Sequence, residues 1–193
     1  MNFLIIVAAF LLCHGLTTFL VVPIQKGFLP DATVFASLVF LPHGVRVLAT
    51  WAFGWRAIFP LTLAAGLSVA LFRTTEEVNF LEPALLESIL IGAVAAFLAF
   101  ELARLTGFDF YSGGTKRLRW RGMILIGALS SVINSIGQTY VFSGLIGFDR
   151  LLITMAIYAI GDVVGLIICM IALMFIFRWW RGSEASATRR NDG

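Results

Sequence analysis

Apolar positions along this chain come in long blocks. They show neither the every-second spacing of a half-buried strand nor the narrow stripe of a surface helix. Six blocks can be drawn, near 3–24, 32–53, 57–72, 85–106, 122–147 and 151–177. An α-helix rises about 1.5 Å per residue, so about 20 residues cross the hydrocarbon core of a bilayer. The pattern predicts an all-α, polytopic transmembrane helix bundle of about six spans. The third block is short, lies between Trp55-Arg56 and Arg73, and is the weakest as a full crossing. Gly144 and Gly147 turn the end of the fifth. Residues 1–181 then form one transmembrane helical domain, and the small, polar stretch 182–193 reads as a disordered cytoplasmic tail.

Composition removes the alternatives. Of 193 residues, 60% are apolar and 13% charged, whereas soluble domains run near half and a quarter. A mean hydropathy of +0.95 leaves almost nothing polar to cover a water-facing surface. The first block lacks a basic leader and a small-residue cleavage site, so it reads as a retained span. Cys13 and Cys169 lie inside apolar blocks, where a thiol behaves as a small hydrophobe.

Charge gives an orientation. Arg56, Arg104, Lys116, Arg117, Arg119, Arg121, Arg178, Arg181, Arg189 and Arg190 fall on one side of a six-span path. Lys26, Arg73 and Arg150 fall on the other, beside Asp31, Glu76, Glu77, Glu82 and Asp149. The positive-inside rule then places both termini in the cytoplasm. The basic loop before Trp120 suits anionic headgroups, and no nucleic-acid partner is expected.

Ionisable groups deep in a span are costly and normally face the bundle interior. Counted from the span ends, His43, Arg46, Asn134, Gln138 and Asp162 all fall near one midplane layer, with Tyr158 one turn from Asp162. Pro42 lacks an amide donor and Gly44 weakens a helix, so the second span is expected to break at Pro42-His43-Gly44. Such a break is tolerated only where the freed backbone is buried in protein or lines a cavity. Two readings follow. If the helix restarts at Pro42, free amides and Arg46 make an anion site, as in broken-helix transporters. Otherwise Pro42 only kinks the helix and Asp162 neutralises Arg46.

The ligand-binding set on the first reading is His43, Gly44, Arg46, Trp51, Asn134, Gln138, Tyr158 and Asp162. Arg46 and the amides would meet a negative group, and His43 would tune the contact with pH. Asn134, Gln138 and Tyr158 would orient the ligand, and Trp51 would supply an apolar wall. Gly127, Ser131, Asn134 and Gln138 also share one helix face, which is equally a packing face. No metalloprotease, serine-hydrolase or phosphate-loop pattern occurs, so no enzyme, cofactor or metal site is expected.

The run Phe40-Leu41-Pro42-His43-Gly44-Val45-Arg46, then Phe53-Gly54-Trp55-Arg56 and Pro60, resembles the first type of bacterial membrane-associated sensor domain (MASE). The stretch Ile160-Gly161-Asp162-Val163-Val164-Gly165 is similar to that family's late Gly-Asp-apolar-apolar-Gly motif. The resemblance implies a polytopic sensory module of the bacterial inner membrane, usually fused to a cyclic-di-GMP enzyme or a histidine kinase. Unlike in that family, no output domain is expected after the last span, and His43 and Arg46 stand where the family is small or apolar. The expected role is a stand-alone, sensor-like module binding a small, anionic ligand within the bundle and working with a separate signalling protein. The alternatives are a transport component moving a small solute or proton, and a structural membrane partner.

Overall fold

The computed structural model describes residues 2–28, 37–72, 83–113, 120–141 and 148–191, with side chains in the last stretch for 155–179 and Arg181. Among the described residues all regular structure is helical and there is no strand. Helix α1 (Asn2–Leu16), a π-helical turn (Thr17–Val21) and α2 (Val22–Phe28) run on from one another. They are followed by α3 (Leu41–Phe53), a 3-10 turn (Gly54–Ala57), α4 (Ile58–Phe72), α5 (Pro83–Leu105), α6 (Trp120–Val141) and α7 (Phe148–Asn191).

Among the described residues, five stretches are long and apolar enough to cross a membrane: Asn2–Phe28, Leu41–Phe72, Pro83–Leu105, Trp120–Val141 and Met155–Trp179. The second is not straight. As one helix its 32 residues would reach about 48 Å. Yet the ring of His14 lies 6.0 Å from Phe40 and 5.5 Å from Phe72, so the two ends come back together. The reversal sits at Gly54, whose φ of +59° and ψ of −139° suit glycine alone. Helix α1 fills the resulting V, and Ile6, Val7 and Phe10 pack against Ala49 of one leg and Leu61, Ala64 and Ala65 of the other.

A second core joins α3, α5, α6 and α7 through Val47, Ala96, Ala99, Phe100, Ile126 and Leu166. The buried face of α5 is built from Gly92, Ala93, Ala95, Ala96 and Ala99. Small residues there let helix backbones approach closely, the usual basis of helix association in lipid. Leucines and phenylalanines such as Leu4, Leu12, Phe19, Leu98 and Leu125 point outward and are exposed, as a lipid-facing surface requires.

Some boundaries differ from the sequence pattern. Ser37–Phe40, within the expected 32–53 span, is not helical and bends at Leu38 before helix begins at Leu41; 29–36 and the turn at Gly144 and Gly147 lie outside the described residues. Helix α7 continues to Asn191, through the stretch expected to be a disordered tail. Glu184, Ala185, Ala187, Arg189 and Arg190 are good helix formers and no proline interrupts them, so the helix runs on past Gly182.

Candidate functional site

The break before Leu41 is built by three neighbouring helices. A non-helical chain at this depth has unpaired amides and carbonyls, which cannot face lipid. Here the Leu38 amide donates to Gln25 Oε1 at 2.8 Å, Phe40 to the Gly161 carbonyl at 2.9 Å, and Leu41 to Thr17 Oγ1 at 3.3 Å. Thr17 opens the π-helical turn, whose extra residue per turn re-aims the side chains that follow. Gly161 and Gly165 of α7 form the floor. A Cβ at Gly161 would overlap the Ser37 carbonyl oxygen, and one at Gly165 would overlap that of Phe40. The Gly-x-x-x-Gly spacing of α7 thus seats the non-helical Ser37–Phe40 segment rather than another helix.

The restart differs in one respect from the sequence expectation of free amides. Helix α3 begins at Leu41 with Pro42 in its first turn, where the missing donor costs nothing. The Leu41 amide is already taken by Thr17, and the His43 amide donates to the Phe40 carbonyl at 3.2 Å. Gly44 is covered by α7, since a Cβ there would stand 2.6 Å from the Cβ of Cys169. The helix end is therefore sealed, and Gly44 has no room for a ligand.

Charge at the midplane is also arranged differently from the Arg46–Asp162 pairing considered above. Asp162, 1% exposed, receives a 2.8 Å hydrogen bond from Asn134 Nδ2 and lies 3.3 Å from His43 Nδ1. That contact is at ion-pair distance but off the hydrogen-bond line. The other ring nitrogen of His43, Nε2, donates to the Gly127 carbonyl at 3.2 Å. Among the described residues no carboxylate lies within ion-pair distance of Arg46. Its guanidinium sits over the rings of Phe10 and Phe40, at 5.6 and 5.4 Å, and its Nε has no partner. Gly92 makes the space: a Cβ there would stand 2.5 Å from Nη2. Phe40, the residue just before α3, thus stands beside the cation where Asp162 was expected.

A cavity of about 320 Å³ opens against this layer. Arg46, Asn134, Gln138, Tyr158 and Asp162 line it, five of the eight residues singled out from sequence. His43 and Gly44 lie behind the wall, the first on the far side of Asp162 and the second against Cys169. Trp51 lies away from it, toward the end of α3, in a second hollow with Arg56, Glu101, Arg104 and Tyr111. It therefore supplies no wall to the cavity.

Sequence reasoning missed His14, Thr17, Ser37, Ser68 and Ser88. His14 stacks between Phe72 at 5.5 Å and Phe10 at 6.1 Å, and its Nδ1 is buried without a partner. A histidine inside an apolar block was the available signal. Ser88 had none, because its role comes from packing: its hydroxyl donates to Gln138 Oε1 at 2.8 Å, and Gln138 Nε2 returns a 3.0 Å bond to its carbonyl.

The second hollow is bordered by a firmer loop. Tyr111 donates to Glu101 at 2.9 Å and stacks on Phe100 at 5.0 Å, while Glu101 also accepts from Arg104 at 3.3 Å. The Ser112 amide closes the loop on the Trp51 carbonyl at 2.9 Å. Burial, and then the bond to the Glu101 carboxylate, push the Tyr111 phenol above its ordinary range. No protein-family model, curated protein or solved structure matches this chain.

Proposed function

We propose that this chain is a membrane-embedded, sensor-like module that holds a small carboxylate inside its bundle, against Arg46. One observation carries the reading: Arg46, a residue 7% exposed, lies on the wall of a polar cavity with no carboxylate within ion-pair distance among the described residues. Stranding a charge away from water is expensive, so a site that keeps one open is built for a counter-charge. Arginine's planar fork matches a carboxylate with two parallel hydrogen bonds. Asn134, Gln138 and Tyr158 fix the rest of the ligand. At about 320 Å³ the cavity stands at the small end of ligand pockets, which suits a compact molecule.

The resemblance to the first type of membrane-associated sensor domain supports sensing. In this reading both legs of the Leu41–Phe72 hairpin cross, giving six spans, with both termini in the cytoplasm of a bacterial inner membrane and a separate protein as output. A transport role is the second reading, and the non-helical Ser37–Phe40 segment beside a buried charge favours it. Uptake of labelled acetate into proteoliposomes separates the two.

The test of the site is a thermal-shift series on the purified chain with formate, acetate, propionate, lactate, benzoate, phosphate and chloride. A ligand at a hundred times its dissociation constant stabilises the folded state by about 2.7 kcal/mol. A carboxylate should raise the melting temperature of the wild type and leave a folded Arg46→Gln variant unmoved. No stabilisation by any of them, or an equal shift in the variant, overturns the proposal.

A further inference from the structure

His43 sits between two acceptors. A backbone carbonyl can only accept, and a neutral imidazole carries one N–H. The 3.2 Å contact with the Gly127 carbonyl therefore holds that hydrogen on Nε2. Nδ1 then carries a lone pair 3.3 Å from Asp162 Oδ2, beside it rather than aimed at it, with both side chains 1% exposed. Two electron-rich atoms that close and away from water repel, and a proton on either atom removes the repulsion. It rests on Nδ1 as an imidazolium–carboxylate pair, or on Oδ2 as a neutral pair. In either form His43 and Asp162 together carry no net charge. Asp162 then has nothing left to offer Arg46, which explains why the guanidinium lies over Phe10 and Phe40 instead.

We propose that this proton is a co-ligand: the cavity takes its carboxylate at Arg46 only while the His43–Asp162 pair is protonated, so anion and proton are held together. The inference rests on the reading of Arg46 as an anion site. With the proton in place, the layer carries the single positive charge of Arg46 and an anion makes it neutral. Without it, Asp162 already balances Arg46 across the cavity, and an incoming carboxylate meets a carboxylate. No bond is made or broken beyond the transfer of one proton from water to the pair.

Among the described residues the other ionisable groups facing this layer are His14 and Cys13 on α1, the latter against Cys169, and Tyr158 and Cys169 on α7. Among the described residues α4 carries no ionisable side chain. Those of α5 and α6 lie on exposed positions or at the Trp51 end. Linkage fixes the sign. The anion-bound state keeps its proton to higher pH than the empty one. Between those two points each unit of rising pH weakens binding about tenfold, and each anion bound takes up one proton. Below that window binding is indifferent to pH.

The experiment is calorimetric titration of the full chain in lipid nanodiscs with acetate, propionate and benzoate, from about pH 5 to about pH 9. Two buffers of different ionisation heat report the protons taken up. Wild type and His14→Gln should show the falling limb and an uptake approaching one proton per anion. His43→Gln, whose amide can still donate to the Gly127 carbonyl, leaves Asp162 to take the proton alone and should move the falling limb to lower pH. Asp162→Asn leaves Arg46 without a rival anion and should bind at alkaline pH with no pH dependence, which keeps the test open should the histidine variant not fold. Binding without pH dependence or uptake in wild type overturns the coupling and leaves the Arg46 site standing. Uptake lost in His14→Gln, with the falling limb unmoved in His43→Gln, also overturns it. Failure of every probe to bind overturns the anion site, and the coupling with it.

Discussion

Replacing Gly165 by alanine should be among the most damaging single-methyl changes in this protein. The added Cβ would overlap the Phe40 carbonyl oxygen and stand 2.9 Å from the Leu41 nitrogen, both backbone atoms that cannot rotate away. The non-helical segment would have to move by on the order of 1 Å to restore ordinary contact. It is tied by the Gln25–Leu38, Thr17–Leu41 and Gly161–Phe40 hydrogen bonds, so displacement loosens at least one of them. Overpacking of a tight interior costs about 1–3 kcal/mol, and a lost hydrogen bond adds about 1 kcal/mol. We expect a loss of about 2–4 kcal/mol in reversible unfolding in mixed micelles. Gly66→Ala is the matched control, because nothing lies within 4 Å of its new methyl; it should be neutral or stabilising by up to about 1 kcal/mol. Equal stability of Gly165→Ala and Gly66→Ala would refute the seating of Ser37–Phe40 on α7.

Asn134→Ala removes the 2.8 Å donor to Asp162 and should cost about 1–3 kcal/mol in the same unfolding assay, the penalty for leaving a buried acceptor unsatisfied. Ser88→Ala cuts one bond to Gln138 and should cost only about 0.6 kcal/mol, the usual worth of such a contact in lipid. Tyr111 should stay protonated through the ordinary phenol range near about pH 10, so alkaline absorbance titration should show a late tyrosine that Tyr111→Phe abolishes. The sign follows: the raised phenol contributes stability below its unfolded value, and that contribution is lost as pH climbs toward the folded one. Cysteines placed at Gly113 and after Arg181 should label from the same side of the membrane, as the basic clusters require; opposite labelling would discard the orientation.

The helical class, and the gathering of the deep polar residues on one cavity, were legible because both depend on counting residues. Blocks of apolar residues set span length, and depth along each helix follows from rise alone, so Arg46, Asn134, Gln138 and Asp162 fall together without knowledge of packing. What lay beyond sequence was direction around each helix. Depth cannot show that His43, three residues before Arg46, faces α6 and Asp162 while Arg46 faces α1 and α5. Nor can it show that Trp51, two turns past His43, ends in a different hollow. The sealing of the α3 terminus was hidden for a related reason. Its partners Thr17 and Gln25 come from the first span, whose π-helical turn leaves no mark in the apolar pattern. Gly161 and Gly165 were visible as a small-residue pair, but that they receive a non-helical segment rather than a helix depended on where the neighbouring chain breaks.

The central claim is that Arg46 is open to an anion rather than bound to Asp162. Its most direct test is a nuclear distance measured in the bilayer. With guanidinium nitrogens labelled in nitrogen-15 and a carboxylate from the thermal-shift series labelled in carbon-13, dipolar recoupling reports their separation in membranes. The account predicts a carbon–nitrogen distance under about 4 Å, as two parallel N–H···O bonds require, and its disappearance in Arg46→Gln. Dephasing instead from the Asp162 carboxyl carbon at that distance, unchanged by added carboxylate, would show Arg46 paired within the protein and would contradict the account.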